Sequence, residues 1–110
     1  MAAKFELKKA KNGQFFFNLK AGNGQVILTS EMYKAKDGAE NGIKSVKKNA
    51  LSDSKYDILK AKNKQPYFVL KAGNNEVIGK SETYSSTSAM RNGMKSVKNN
   101  ASKARIADLT

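Results

Sequence analysis

The sequence predicts an α+β fold: two tandem β-β-β-α-β repeats forming a single antiparallel sheet, with two helices packed on one face. Three observations predict it. Asn41-Gly42-Ile43-Lys44-Ser45-Val46-Lys47 returns as Asn92-Gly93-Met94-Lys95-Ser96-Val97-Lys98, at an offset of 51 residues. The offset holds without a gap from Phe5/Tyr56 to Ala50/Ala101, with roughly half of the paired positions identical, the mark of a duplicated unit. Within each copy the hydrophobic period changes from 2 to about 3.6, from strand to helix. Lastly, the strand signature Phe5-Glu6-Leu7 recurs as Tyr56-Asp57-Ile58 and as Ala107-Asp108-Leu109, three times for two helices.

The elements follow in order. Lys4 to Lys9 alternates, with Phe5 and Leu7 on one side and Lys4, Glu6 and Lys8 on the other, a strand with one apolar face. Asn12-Gly13 between apolar runs signals a hairpin. Gln14 to Lys20 is the second strand, with Phe15, Phe17 and Leu19 inward and Phe16, Asn18 and Lys20 outward. Ala21-Gly22-Asn23-Gly24 turns the chain, its glycines and asparagine free to take positive φ. Gln25 to Thr29 completes a three-stranded meander. Ala39, Ile43, Val46 and Ala50 then form one narrow apolar stripe, so a helix runs over 36–49. Gly42 costs a helix about 1 kcal/mol relative to alanine, and Gly93 repeats it. A repeated costly glycine requires a close approach of backbone, helix against strand.

The second copy repeats the pattern with substitutions. Strands are expected at Tyr56 to Lys60, Gln65 to Lys71 and Glu76 to Gly79, and a helix over 87–100 with Met90, Met94, Val97 and Ala101 as its stripe. Ser85-Ser86-Thr87 offers the N-cap, and Asn49 and Asn100 close the helix C-termini. Pro66 stands where copy one has Phe15. It has no N–H to give, so it belongs at a strand start, a bulge or a free edge. Ala104 to Leu109 is a fourth strand that completes copy two, while the segment from Asp53 to Lys60 ends copy one and begins copy two. Ile43, Val46, Met94, Val97, Phe17, Leu19, Phe68 and Leu70 should form the core. The chain is one duplicated domain, residues 1–110, with repeat one at 4–53 and repeat two at 54–110. Each copy alone, at about fifty residues, would be marginal.

Composition narrows function mainly by exclusion. With neither cysteine nor histidine, the chain has no disulfide framework, no thiolate chemistry, no usual zinc ligand and no Ser-His-Asp triad. No catalytic residue, cofactor or metal is expected. No apolar run approaches a membrane span, and no apolar stretch follows Met1-Ala2-Ala3 as a secretory leader would require, so the expected place is the cytoplasm. Lys and Arg number 21 against 9 Asp and Glu, a net charge of +12, which attracts polyanions.

Lys20 to Asn23 and Lys71 to Asn74 (Lys-Ala-Gly-Asn), Ser30 to Tyr33 and Ser81 to Tyr84 (Ser-Glu-x-Tyr), and the Asn-Gly-x-x-Ser-Val-Lys helix cover nearly the whole chain. In this set the sequence resembles the YegP-like family of small uncharacterised bacterial proteins, which carry one or two copies of a domain of unknown function. The resemblance implies a β(3)-α-β unit, two of which share a single sheet with their C-terminal strands exchanged between repeats. It brings no established activity.

Two residue sets are candidate sites. On the outward sheet face, Phe16, Asn18 and Lys20 match Tyr67, Val69 and Lys71 of copy two, and Lys8 joins them. Exposed aromatics beside basic groups are how single-strand binders stack bases and hold phosphates. The plain alternative is a set of surface residues with no common task. The second set is Ser30, Glu31 and Tyr33 with Ser81, Glu82 and Tyr84. It offers carboxylate bases and hydroxyl donors, but general acid–base work also needs a partner and a pocket. The structural alternative has serine and glutamate satisfying backbone groups while tyrosine covers the edge of the core. Lys44, Lys47 and Lys48, then Arg91, Lys95 and Lys98, form basic helix ridges that either face solvent or lie on a duplex backbone. The expected function is a non-enzymatic binding or accessory protein, with weak sequence-independent binding of nucleic acid or another polyanion as one partner class and a protein as the other. With both copies in one chain, a monomer is the simplest expectation.

Overall fold

The computed structural model describes residues 3–110; Met1 and Ala2, part of the stretch read as leaderless, lie outside the described residues. The chain forms β1 (Lys4–Lys9), β2 (Phe15–Lys20), β3 (Val26–Ser30), α1 (Lys36–Asn49), one 3-10 turn (Asp53–Lys55), β4 (Tyr56–Lys60), β5 (Pro66–Lys71), β6 (Val77–Lys80), α2 (Thr87–Asn100) and β7 (Arg105–Asp108). Both helices span the expected residues. The strands differ by a residue or so at their ends. Gln14, Gln25, Gln65 and Glu76 belong to the hairpins because each gives its backbone N–H to the side chain of Asn12, Asn23, Asn63 or Asn74, two residues earlier. All four hairpins are thus built alike, and each turns through a residue of positive φ. Gly13 and Gly24 take it freely, whereas Lys64 and Asn75 hold the same conformation at φ 68° and 69°.

One seven-stranded sheet runs in the order β4-β5-β6-β3-β2-β1-β7. The two meanders meet along β3 and β6, where Thr29 pairs with Lys80 and Ser30 with Gly79. Gly79 is the repeat counterpart of Leu28. A Cβ at Gly79 would lie 2.6 Å from the Leu28 side chain, so only one of the two positions can carry a leucine across the joint. The strand that follows each helix enters the other repeat's half of the sheet. β4 opens the second meander and β7 flanks the first, so the exchange implied by the family resemblance is present. The sheet is antiparallel in every pair but one. β7 lies parallel to β1, Phe5 beside Ile106 and Leu7 beside Asp108, so the whole is a mixed sheet. Pairing direction is set by where the helix delivers the chain, and no local pattern in Arg105–Asp108 encodes it.

Both helices lie on one face and share a single core with the sheet. Phe5, Leu7, Phe17, Leu19, Leu28, Ile43, Val46, Phe68, Leu70, Met90 and Val97 are fully enclosed. The expected core residue Met94 is only half-buried, packed against the margin of the cluster. Ser86 caps α2 by accepting from the Ala89 N–H, and Asn49 and Asn100 donate to the carbonyls of Ser45 and Ser96 at the helix ends. Pro66 opens β5. At the matching place in copy one, Phe15 and Tyr33 exchange both backbone bonds; in copy two only Tyr84 N–H to Pro66 C=O remains, since proline has nothing to return.

Candidate functional site

The outer sheet face is built by strand alternation. Residues that do not point at the helices point away from them, and no element of the described chain covers that side. By register, Phe16 stands opposite Lys8, and Asn18 opposite Glu6. Tyr67 stands opposite Leu59, and Val69 lies between Asp57 and Lys80. Phe16 and Tyr67 are both half-buried. β3 and β6 separate their strands by roughly 14 Å of ladder spacing, and Phe16 and Tyr67 lie two residues to opposite sides of the Asn18–Thr29–Lys80–Val69 row, so they stand roughly 20 Å apart. The face carries Lys4, Lys8, Lys20, Lys71, Lys80 and Arg105 against two carboxylates, Glu6 and Asp57.

The electrostatics of this face centre on Glu6, a residue that the sequence reading left as an ordinary outward side chain. Glu6 is buried, and its carboxylate takes ion pairs from Lys20 at 3.0 Å, Lys4 at 3.3 Å and Lys8 at 3.4 Å. The Lys20 ammonium above all, with Lys4 and Lys8, holds the carboxyl at about 2, against burial, which pushes the other way. Lys-x-Glu-x-Lys on one strand was the signal for this cluster; Lys20 becomes visible only with the register. Of the other candidates, Asn18 is buried and accepts from the Thr29 hydroxyl at 2.9 Å. Lys71 pairs with Asp57. The Lys80 ammonium sits 5.1 Å from the centre of the Tyr67 ring, an attractive placement for a cation over an aromatic face. The structure therefore brings Lys8, Phe16, Asn18 and Lys20 together at one end of the face, and Tyr67 and Lys71 at the other.

The Ser-Glu-x-Tyr strings do a different job. Ser30 Oγ accepts the Phe17 N–H at 2.8 Å and donates to the Glu31 carbonyl at 2.8 Å. Ser81 does the same with Phe68 and Glu82. Each tyrosine stacks on a core phenylalanine, Tyr33 on Phe17 and Tyr84 on Phe68, with ring centres 6.4 Å apart. Burial is the main reason why both phenols are pushed above their ordinary value. The repeated helix glycines belong to the same device. A Cβ at Gly42 would lie 2.5 Å from the Tyr33 hydroxyl, and one at Gly93 2.2 Å from that of Tyr84. The close approach expected from the glycines is real, but its nearest partner is the tyrosine tip rather than a strand backbone. Glu31 and Glu82 are both exposed and line an open depression of about 410 Å³ with Thr29, Ser30, Lys80 and Ser81. That depression is open to solvent. Among the described residues no cluster of three or more acidic, His or Cys side chains comes together to hold a metal.

The helix ridges are partly engaged. Lys47 donates to the Ala104 carbonyl at 2.8 Å, and Lys98 pairs with Asp53, so each reaches the connection that leaves the other helix. No helix among the described residues is long and apolar enough to cross a membrane.

Comparison with known proteins agrees with the geometry. Residues 10–57 and 61–108 each match a domain family described as a domain of unknown function, DUF1508. A UPF0339 protein of Acinetobacter baylyi is 54% identical over 110 residues, covering 100% of this chain and 99% of that one. The UPF0339 protein YegP of Yersinia pestis is 55% identical over 106 residues, 96% of this chain and 95% of its own. The solution NMR structure of a UPF0339 protein from Shewanella oneidensis superposes with a TM-score of 0.94 at 54% identity, covering 100% of this chain and 93% of that one. That of yegP from E. coli, a protein of unknown function, gives 0.94 at 44%, covering 100% and 95%. With two tandem matches and relatives similar from end to end, this chain belongs to the DUF1508 family of uncharacterised UPF0339 proteins.

Proposed function

We propose that this chain is a non-enzymatic binding protein whose outer sheet face holds single-stranded nucleic acid without reading its sequence. One observation supports the reading above the others: a sheet face left open by the described chain, with Phe16 and Tyr67 set among six cations and two carboxylates. Bases stack on aromatic rings whatever their identity, and lysines follow the backbone. Glu6 fits the same picture, since it gathers three lysines that would otherwise repel one another into a fixed group that is still net positive.

The test is a salt series of binding to short single-stranded and duplex oligonucleotides, for the wild type and for Phe16→Ala/Tyr67→Ala. The expected result is a preference for single strands, with affinity that falls at least about thirtyfold in the double variant, since two rings at about one to three kcal/mol each sum to at least about 2 kcal/mol. Binding that disappears steeply near physiological salt in both proteins would reduce the effect to the attraction of any +12 chain for a polyanion, and would overturn the reading. A second reading, a protein-interaction module, is favoured by a separate observation at the β4 edge.

A further inference from the structure

The two repeats end differently. β1 is flanked by β7, but β4, its counterpart, ends the sheet with no strand of the described residues beside it. The effect is visible in matched residues. Leu7 is 0% exposed and its counterpart Ile58 is 52% exposed. Ile43 on α1 is fully enclosed, while Met94 on α2 is only half-buried. An open groove of about 550 Å³ remains between Ile58 and the Arg91, Met94, Lys95 and Lys98 side chains of α2, with Asp53 also on its wall. The place that β7 fills at one end of the sheet is vacant at the other.

We propose that the free edge of β4 is a docking site for an extended segment of a partner protein, apolar and acidic in alternation, which joins the sheet as a parallel eighth strand. β7 is the template for it. At the filled end, Ile106 lies beside Phe5 and Asp108 beside Leu7, and the chain goes on with Leu109 N–H donating to the Leu7 carbonyl. Asp108 meets a lysine of the helix layer, Lys36. The same register on β4 puts an apolar side chain beside Tyr56 and an acidic one beside Ile58, facing the cationic groove wall. Of that wall, Lys98 is taken by Asp53, whereas neither Arg91 nor Lys95 has an ion-pair partner among the described residues. An incoming acid completes the groove, and an incoming strand satisfies the unpaired backbone of the edge. A second copy of this chain is the poorer occupant, since it brings another +12 and its own β7 is already paired. The site lies at the edge and on the helix side of the sheet, so it is independent of the outer-face reading.

The experiment is an NMR titration of the full chain with a capped nine-residue peptide that keeps the apolar-small-acidic order of Ile106-Ala107-Asp108 and is flanked by glutamates. Its control is the same peptide with lysine in place of every acid. The expected result is amide shifts concentrated on β4 and the neighbouring face of α2, with affinity at least tenfold lower in Arg91→Glu/Lys95→Glu. The charge-matched variant Lys44→Glu/Lys48→Glu, on the other helix, stays within about twofold of wild type, since neither residue lines the groove. Three outcomes would overturn the proposal: no shifts on β4 up to millimolar peptide, equal binding of the lysine peptide, or β4 amides already protected without peptide in a concentration-dependent dimer, which would give the edge to a second copy.

Discussion

Repeat one and repeat two place matched residues in unequal company. Leu7 and Ile58 stand at equivalent places in strands with the same apolar pattern, yet one is sealed and the other half open. Glu6 and Asp57 are equivalent too. Glu6 is buried under three lysines, while Asp57 is exposed and pairs with Lys71 alone. The difference follows from tandem connection. The segment after α1 has to serve as the first strand of repeat two, so it cannot also flank a meander. The segment after α2 has no such duty and lies down beside β1 as β7. A residue's burial here depends on how many strands the neighbourhood receives, not on its own position in an alternating pattern.

The joint between the repeats offers the largest perturbation. Leu28 crosses it and Gly79 yields to it, so Gly79→Leu should cost about 3 kcal/mol of stability by overpacking. Leu28→Gly alone should also be strongly destabilising, because it empties a fully buried site. The double variant exchanges the two residues across the pseudo-symmetry. It should recover much of the loss, appearing as a favourable coupling in a denaturant double-mutant cycle. Strict additivity of the two losses would mean that the repeats do not meet as equals there.

A smaller effect separates the carboxylates. Glu6 is held at about 2, below the ordinary 4.5. A depressed folded-state value means that the stability it lends is complete above pH 4.5 and is lost as the pH falls towards 2. Glu6→Gln should therefore lower stability near neutral pH by about 2 kcal/mol, the scale of hydrogen bonds to a charged group. It should also flatten the decline between pH 4.5 and 2. Asp57→Asn, at an exposed pair, should change stability by less than about 1 kcal/mol. Parallel acid-denaturation curves for wild type and Glu6→Gln would remove Glu6 from its central place on the outer face.

Much of this was legible in the sequence. The 51-residue offset gives the duplication, and the change of period gives both helices at their observed bounds. The thrice-used strand signature anticipates β1, β4 and β7. Local pattern could not supply direction or company. Nothing in Arg105–Asp108 says that it runs parallel to β1. Ile58 and Met94 carry the same apolar signature as the enclosed Leu7 and Ile43, and only the missing flanking strand opens them. At the candidate sites, alternation placed Phe16, Lys20, Tyr67 and Lys71 on one face, but Asn18 proved to be occupied by Thr29. Gly42 and Tyr33 were both singled out, yet their meeting depends on how the helix docks. The Lys20 contact with Glu6 likewise waits on the β1–β2 register.

The measurement that tests the inequality of the two ends most directly is the stability loss of Leu7→Ala beside that of Ile58→Ala, by denaturant unfolding of otherwise identical chains. With β7 sealing one end and no strand of the described residues sealing the other, Leu7→Ala should cost about 3 kcal/mol, in the range for an enclosed leucine. Ile58→Ala should cost less than about 1 kcal/mol, as at a partly exposed surface position. Equal losses of several kcal/mol would contradict the account, because they would mean that β4 is covered as fully as β1.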